Sequence, residues 1–284
     1  MFRDQRLRDN WALIHAVDQA NRLNVPVAAS PSHLISETLQ IPFFLFQGEA
    51  VDTISRFLTE CGASLLVTDF SPLRQVRGRK EEITKRVPDS LEYGARTIRR
   101  KINNLLPNYL TGFPPLKPQN INNTNWISAK ERSIDWETII ANVVTRGAEV
   151  LEIDWCKPGE IAGSETLIGN KNSFLTTRLK NYATDRNNPL KPEGLSGLYP
   201  YLHFGQISAQ RCALEARKVR KLNPQAVDVF LEELIVRREL SDNFCYYDSL
   251  QGVDDSDSVD SERTKKAEIS ISRDFRALNP NRHH

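Results

Sequence analysis

Apolar and polar positions alternate in blocks over the first 70 residues. Unbroken apolar runs occupy 41–48 (IPFFLFQG) and 63–70 (ASLLVTDF). Such runs are typical of strands buried on both faces. The amphipathic stretch EAVDTISRFLTECG between them predicts a helix that stops at Gly62. A strand–helix–strand order with hydrophobic strands predicts a parallel sheet covered by helices, with 41–48 paired in parallel to 63–70.

This predicted sheet is incomplete. The chain opens on a helical pattern (NWALIHAVDQANRL), with no strand before it. The stretch SPSHLISETLQ is too short for a crossover helix with its turns. No Gly-x-Gly-x-x-Gly follows a strand, so the usual dinucleotide fingerprint is absent. The predicted fold class is therefore α/β: an incomplete Rossmann-like parallel-sheet domain over 1–112, followed by a partial all-α domain.

The pattern changes beyond the sheet. ARTIRRKINNLL predicts a basic helix, and the Pro/Asn-rich stretch at 113–135 predicts a linker. Residues 136–252 are helical in pattern, without a convincing buried strand. Residues 253–284 combine low hydrophobicity with acidic and small side chains, which is typical of a disordered tail.

Composition and charge narrow the setting. The formal net charge is only +2, but 72–101 and 171–221 each carry ten Lys or Arg against four and three acids. Such blocks suit a polyanion, and solvated helix faces explain any single block equally well. The four cysteines lack metal-ligand spacing, which favours a reducing, intracellular setting and no metal site. We expect neither a signal peptide nor a membrane span.

A helix predicted over 225–247 contains FLEELIVRRELSDNF, with charges inside its apolar arc. At 100° per residue, Glu233 and Arg237 fall on the same side as Phe230 and Leu234. Glu before Arg at this spacing is the favourable order for an ion pair. An exposed pair would contribute only a few tenths of a kcal/mol. Burying such a pair costs free energy, because both charges lose their hydration. The apolar residues around Glu233 and Arg237 predict a buried pair that borders a ligand.

Two further stretches carry candidate chemistry. In LSGLYPYLHFGQISAQR, Ser196 and Gly197 offer a hydroxyl and an unhindered backbone, and Ser208 is a candidate helix N-cap. In LKNYATDRNNPLKP, Tyr182 offers a hydroxyl and Arg186 lies in a turn-rich loop. Taken singly, a capped helix after a loop and a solvated turn are the commoner explanations.

NYATDRNNP, LSGLYPYLHFGQISAQR and FLEELIVRRELSDNFCYY, in this order, resemble the flavin-binding domain of class II cyclobutane pyrimidine dimer photolyases. MFRDQRLRDNWAL and LVTDFSPLR resemble that family's N-terminal domain, so the likeness covers about 1–252 with gaps. The resemblance implies a deoxyribodipyrimidine photo-lyase, a carbon–carbon lyase that repairs UV-damaged DNA. It implies FAD folded into a U, whose reduced flavin passes an electron to a flipped-out dimer in light. The complete protein is expected to be a monomer that acts in the nucleus, with plastid and mitochondrion as open alternatives and the antenna pigment unspecified.

The resemblance also assigns residues. Glu233 is the expected catalytic residue, hydrogen-bonding a dimer carbonyl as charge develops. Substrate contacts are expected from Arg186, Arg211 and Glu233. The expected cofactor-binding residues are Tyr182, Leu195, Ser196, Gly197, Leu198, Tyr199 and Arg237.

The sequence departs from the family pattern at several points. Tyr199 stands where a second Ser is expected, which removes one phosphate hydroxyl. The likeness stops after NFCYYDSLQG, so we expect a truncated relative with internal deletions and little or no activity. The alternative is a non-catalytic relative that at most binds DNA or a protein partner. A generic basic helical nucleic-acid binder is a third reading.

Overall fold

A computed structural model describes much of the chain. Its contacts form two compact units: Met1–Ser71 with Tyr93–Leu240, and Pro72–Glu92 with Ser241–His284. Only Ser241–Tyr247 of the second unit is described, so the predicted tail at 253–284 lies outside the described residues. The described residues are 4–29, 41–42, 44, 50–63, 65–69, 71, 95–121, 135, 137–139, 141, 153–169 and 172–247.

Helix α1, Trp11–Leu23, organises the core of the N-terminal region. Asn10 caps it, accepting a hydrogen bond from the Leu13 backbone N–H at 3.0 Å, and Asn24 ends it in the left-handed conformation. This N-terminal core buries one face of α1 against the segments that follow, and its members are Leu13, Val17, Ala20, Val27 and Ile41. The helix lies where the apolar spacing predicts it.

Two backbone hydrogen bonds begin a parallel pairing beside this core. The Ala29 N–H donates to the Pro42 carbonyl, and the Phe44 N–H donates to the Ala29 carbonyl, both at 3.0 Å. One residue bonded to two positions on either side of its partner is the parallel pattern. The predicted strands 41–48 and 63–70 lie partly outside the described residues, so the α/β sheet stays a prediction.

Two more helices belong to the first half of the chain. Helix α2, Ala50–Glu60, occupies the predicted crossover position and is followed by Gly62 with φ +60°. Helix α3, Ala95–Tyr109, is the predicted basic helix. The chain then runs back along α1, where the Val27 N–H donates to Gln119 Oε1 at 3.2 Å.

The second half of the chain packs around a larger helical core. This core buries aromatic and aliphatic side chains from several elements, among them Phe174, Leu179, Tyr182, Leu198 and Phe230. The elements are α4 Glu160–Ile168, a π-helix Phe174–Arg178, α5 Leu179–Asp185, a 3-10 turn Pro192–Gly194, α6 Tyr199–His203, α7 Ala209–Lys218, α8 Pro224–Leu231, a π-helix Glu232–Arg237 and α9 Arg238–Tyr247.

The helix predicted over 225–247 is present but is not regular. A π-helix at Glu232–Arg237 separates α8 from α9. In a π-helix the hydrogen bonds run from residue i to i+5, so side chains five positions apart come onto one face. The regular 100° spacing used for the prediction therefore fails in the stretch that carries the candidate residues. Isolated π-helical turns occur often at functional sites.

The segment before α1 joins the two cores. Arg6 is only 7% exposed, and its Nη1 donates to the Gly205 carbonyl at 3.0 Å. The Leu7 N–H donates to Glu160 Oε2 at 3.0 Å. These contacts hold the start of the chain against the helical core that carries the candidate site.

Candidate functional site

Tyr182 lies at the centre of the helical core. Its ring meets Phe174 and Phe230 edge-on, with centroid separations of 5.2 and 5.7 Å. Burial disfavours the charged phenolate and raises the pKa of Tyr182 to about 12; the negative charge of Glu233 acts in the same direction, and Arg186 opposes it. Tyr182 is therefore a neutral hydroxyl at physiological pH.

Arg186 connects this ring to Glu233. Its Nη2 donates to Glu233 Oε1 at 3.3 Å, its Nη1 donates to the Ala183 carbonyl at 3.1 Å, and its guanidinium carbon lies 6.0 Å from the Tyr182 ring centroid. The Glu233 side chain is 40% exposed, so its carboxylate is partly open to solvent. The structure thus brings Tyr182, Arg186 and Glu233, all predicted site residues, into one cluster.

Arg237 meets Glu232 instead of the predicted Glu233. Its Nε lies 3.5 Å from Glu232 Oε1, a separation of five positions that the π-helix produces. Arg99 of α3 binds the same carboxylate with two donors, its Nε donating to Oε2 at 3.1 Å. This hydrogen bonding raises the pKa of Arg99, against the effect of desolvation. The predicted Glu233–Arg237 pairing is wrong in this respect, whereas the predicted flavin contact of Arg237 stays a prediction.

Sequence reasoning missed Arg99 and Glu232. Glu232 lies inside the predicted helix over 225–247 and Arg99 inside the basic helix, but 133 positions separate them. No spacing rule for one helix reaches across that distance.

The predicted phosphate-binding turn is built around Gly197, with φ +68°. This left-handed conformation is easy for glycine and strained for most other residues. The Leu198 N–H donates to Ser196 Oγ at 3.3 Å, and the fully buried Leu198 side chain anchors the turn in the core. Arg178 donates to the Leu195 carbonyl at 2.7 Å and to the Ser196 carbonyl at 3.1 Å.

The outer side of this turn carries aromatic surface. Tyr199 is 64% exposed, and its ring centroid lies 6.0 Å from that of Trp155, which is 62% exposed. Where the resemblance predicts a serine hydroxyl, this chain places a ring beside Trp155. Trp155 lies outside every stretch that the sequence singled out.

Arg211, a predicted substrate contact, is held by acidic side chains. Its Nε and Nη2 donate to the two carboxylate oxygens of Asp9, both at 2.7 Å, and its Nη1 donates to Glu215 at 3.3 Å. Its guanidinium carbon also lies 5.6 Å from the Phe113 ring centroid. Asp9 holds the pKa of Arg211 above its ordinary value. These contacts fasten the N-terminal segment to α7, and a substrate contact of Arg211 stays a prediction.

The turn at 195–199 also presents backbone donors without a partner in the described part of the chain. Among the described residues, the backbone N–H groups of Ser196 and Gly197 find no hydrogen-bond acceptor. Consecutive free N–H groups around a left-handed glycine suit a phosphate oxygen. Arg178, Tyr182 and Arg186 lie four positions apart, a spacing that places neighbours on one helical face. The helical segment from Arg178 to Arg186 therefore connects the turn at 195–199 with the cluster of Tyr182, Arg186 and Glu233.

The described residues give two further bounds. No group of three or more His, Cys, Asp and Glu side chains in this part of the chain could hold a metal ion. Within the same residues, no helix has both the length and the apolar character needed to cross a membrane.

Comparison with curated proteins gives consistent relatives. Proteins named deoxyribodipyrimidine photo-lyase match from Arabidopsis thaliana with 58% identity, from Oryza sativa subsp. japonica with 43%, and from Potorous tridactylus with 36%. The matches cover 89%, 89% and 90% of this chain and 60%, 59% and 55% of the relatives. No protein-family model matches the chain.

The chain spans less than two thirds of the length of these relatives. Identity of 58% over 300 aligned positions is nevertheless far above what unrelated chains share. The match covers 89% of this chain. The chain carries the three motifs and the cluster of Tyr182, Arg186 and Glu233. The chain therefore belongs, over its aligned length, to the photolyase family.

Proposed function

We propose that this protein acts as a class II photolyase that binds FAD and splits cyclobutane pyrimidine dimers in UV-damaged DNA. The observation that carries the proposal is the cluster of Tyr182, Arg186 and Glu233. The Glu233 carboxylate is partly exposed, has one arginine contact at 3.3 Å, and lies beside the buried Tyr182. The helix that carries Tyr182 leads to the turn at 195–199, which would bind phosphate. The photolyase relatives support the same activity.

The turn at 195–199 would hold the diphosphate of the dinucleotide through the Ser196 and Gly197 N–H groups. The Tyr182 hydroxyl, kept neutral by burial, would donate to a nearby group of the cofactor. Arg237 would lie by the flavin on the π-helix. When bound, reduced FAD supplies the electron that light transfers to the dimer.

Glu233 and Arg186 would read the flipped dimer together. An ionised carboxylate only accepts hydrogen bonds, so it would accept from a base N–H. As a neutral acid it would also donate to a carbonyl. The Arg186 guanidinium only donates, and would reach a carbonyl oxygen where negative charge develops. Such charge stabilisation acts most strongly where water is excluded.

The remaining parts extend this proposal. An α/β domain at the N-terminus would form the antenna domain, and the basic blocks would contact DNA phosphates with salt-dependent affinity. The protein would act as a monomer on nuclear DNA. The charge pattern along the chain supports the proposed contact with DNA phosphates.

The test is direct. The chain is expressed, reconstituted with FAD under reducing conditions, and illuminated with an oligonucleotide that contains one thymine dimer. The proposed function predicts flavin absorbance in the purified protein and restoration of thymines only in light, whereas the departures from the family pattern predict little or no restoration. DNA binding without flavin absorbance and without restoration would support the non-catalytic alternative, and absence of both flavin and DNA binding would overturn the assignment.

A further inference from the structure

Arg178 joins three carbonyl groups from two loops. It is the last residue of the π-helix Phe174–Arg178. Its Nε donates to the Asn172 carbonyl at 3.1 Å, its Nη1 to the Leu195 carbonyl at 2.7 Å, and its Nη2 to the Ser196 carbonyl at 3.1 Å. The flat fork of the guanidinium thus grips two consecutive peptide groups of the turn.

The geometry of the peptide bond turns this grip into a direction. In a planar trans peptide, C=O and N–H point to opposite sides. Since Arg178 holds the carbonyls of Leu195 and Ser196, the N–H groups of the same two peptides, on Ser196 and Gly197, point away from it. In the described part of the chain, neither N–H finds an acceptor. The turn therefore shows its carbonyls to a cation and its donors to the opposite side.

We propose that Arg178 is a positioning residue for phosphate binding: it orients the Ser196 and Gly197 N–H groups toward one phosphate oxygen of the dinucleotide. This inference rests on the proposed function for the identity of the dinucleotide as FAD. Arg178 does not itself contact the ligand. Its positive charge on the carbonyl side also polarises both peptides and strengthens their N–H groups as donors.

A second role must be separated from this one. Arg178 could pin the turn to the helical core without affecting the ligand. Loss of such a pin would lower the melting temperature and weaken every flavin alike. A positioning role instead weakens only ligands that carry phosphate.

Substitutions of Arg178 distinguish the two roles. Lysine keeps the positive charge but lacks the planar fork that can hold two carbonyls at once. Alanine removes both the charge and the donors. Arg220→Ala is the matched control, because Arg220 is an exposed arginine that pairs with Asp228 on the surface.

The experiment uses the full chain and three probes: sodium pyrophosphate, FAD and riboflavin. In the unsubstituted protein, pyrophosphate should shift the amide NMR signals of Ser196 and Gly197. Arg178→Lys and Arg178→Ala should weaken FAD and pyrophosphate about tenfold, equivalent to roughly 1.4 kcal/mol. Riboflavin affinity should change less than about twofold, and Arg220→Ala should leave all three affinities unchanged.

Every outcome decides the inference. Equal weakening of FAD and riboflavin overturns it, as does the absence of any pyrophosphate shift in the unsubstituted protein. If Arg178→Ala does not fold, judged by circular dichroism, Arg178→Lys carries the comparison. If pyrophosphate binds in an Arg178-dependent manner but no flavin binds, the proposed function fails and the positioning role stands.

Discussion

Two arginine–carboxylate pairs on the helical core differ in how completely they are hydrogen-bonded. Arg211 meets Asp9 through two parallel hydrogen bonds, both 2.7 Å long, and reaches Glu215 as well. Arg186 meets Glu233 through one contact of 3.3 Å. The Asp9 side chain is 16% exposed and the Glu233 side chain 40%.

This difference separates a structural role from a functional one. The bidentate pair uses both oxygens of Asp9 and connects positions 202 residues apart, so it fastens one region to another. Glu233 has a single side-chain partner within the described residues, and its second oxygen is available to a ligand. Removing the Asp9 carboxylate should therefore lower mainly the stability, whereas removing the Glu233 carboxylate should lower mainly the activity.

The largest effect is expected from Glu233→Gln. It should slow light-driven dimer splitting about a hundredfold, the usual cost of losing one group that stabilises developing charge. The unfolding free energy should change by only about 0.5 kcal/mol, because a single exposed contact contributes little. The measurements are the splitting rate and urea unfolding. Glu193→Gln, at an exposed residue of the 3-10 turn Pro192–Gly194, is the control. A full splitting rate in Glu233→Gln would contradict the comparison.

The buried ring under the open pair should make stability sensitive to alkali. Below pH 10, Tyr182 is neutral in both the folded and the unfolded chain, so its ionisation does not lower the free energy of unfolding. Between pH 10 and about 12 only the unfolded chain ionises, so the free energy of unfolding falls. Two pKa units correspond to about 2.7 kcal/mol.

Tyr182→Phe should remove this loss. Urea unfolding between pH 9.5 and pH 11.5, roughly spanning the ordinary tyrosine pKa, is the measurement. If the tyrosine and phenylalanine proteins lose the same stability over this range, the ring is not protected from ionisation.

The bidentate Arg211–Asp9 pair should contribute mainly to stability. Asp9 has φ +56°, and asparagine also tolerates this conformation, so Asp9→Asn removes the charge with little backbone strain. The free energy of unfolding should fall by about 2 kcal/mol, typical of hydrogen bonds to charged groups. Asp228→Asn is the control, because the Arg220–Asp228 pair is 57% and 52% exposed and should contribute less than about 0.5 kcal/mol. Equal losses in the two variants would show that the bidentate Arg211–Asp9 pair stabilises the fold no more than the exposed Arg220–Asp228 pair.

A smaller effect is expected from Glu232→Gln, which weakens the shared contact with Arg99 and Arg237. Amide hydrogen exchange in α3 should quicken by about fivefold, equivalent to roughly 1 kcal/mol. Glu233→Gln should leave α3 exchange unchanged, because Arg186 lies on α5's side of the site. Quickened exchange in both variants would show that the two neighbouring glutamates do not act separately.

Local signals in the sequence determined much of this molecule. Ser208 begins a helix as its side chain predicts, and Gly62 follows the end of α2, where a helix stop is predicted. The three motifs resemble photolyases by their residues and order alone, and the relatives confirm the family. Caps, glycine stops and motif order are properties of short stretches, so the sequence by itself can carry them.

The tertiary structure decided which charges meet. Helical spacing predicted Glu233 with Arg237, whereas the π-helix gives Arg237 to Glu232 and leaves Glu233 to Arg186. A regular helical wheel cannot anticipate this change, because a π-helix alters the number of residues per turn only once packing imposes it. Arg178 and Arg211 became informative through contacts across 18 and 202 positions. Such pairings depend on how separate elements pack, which no local pattern in a single sequence records.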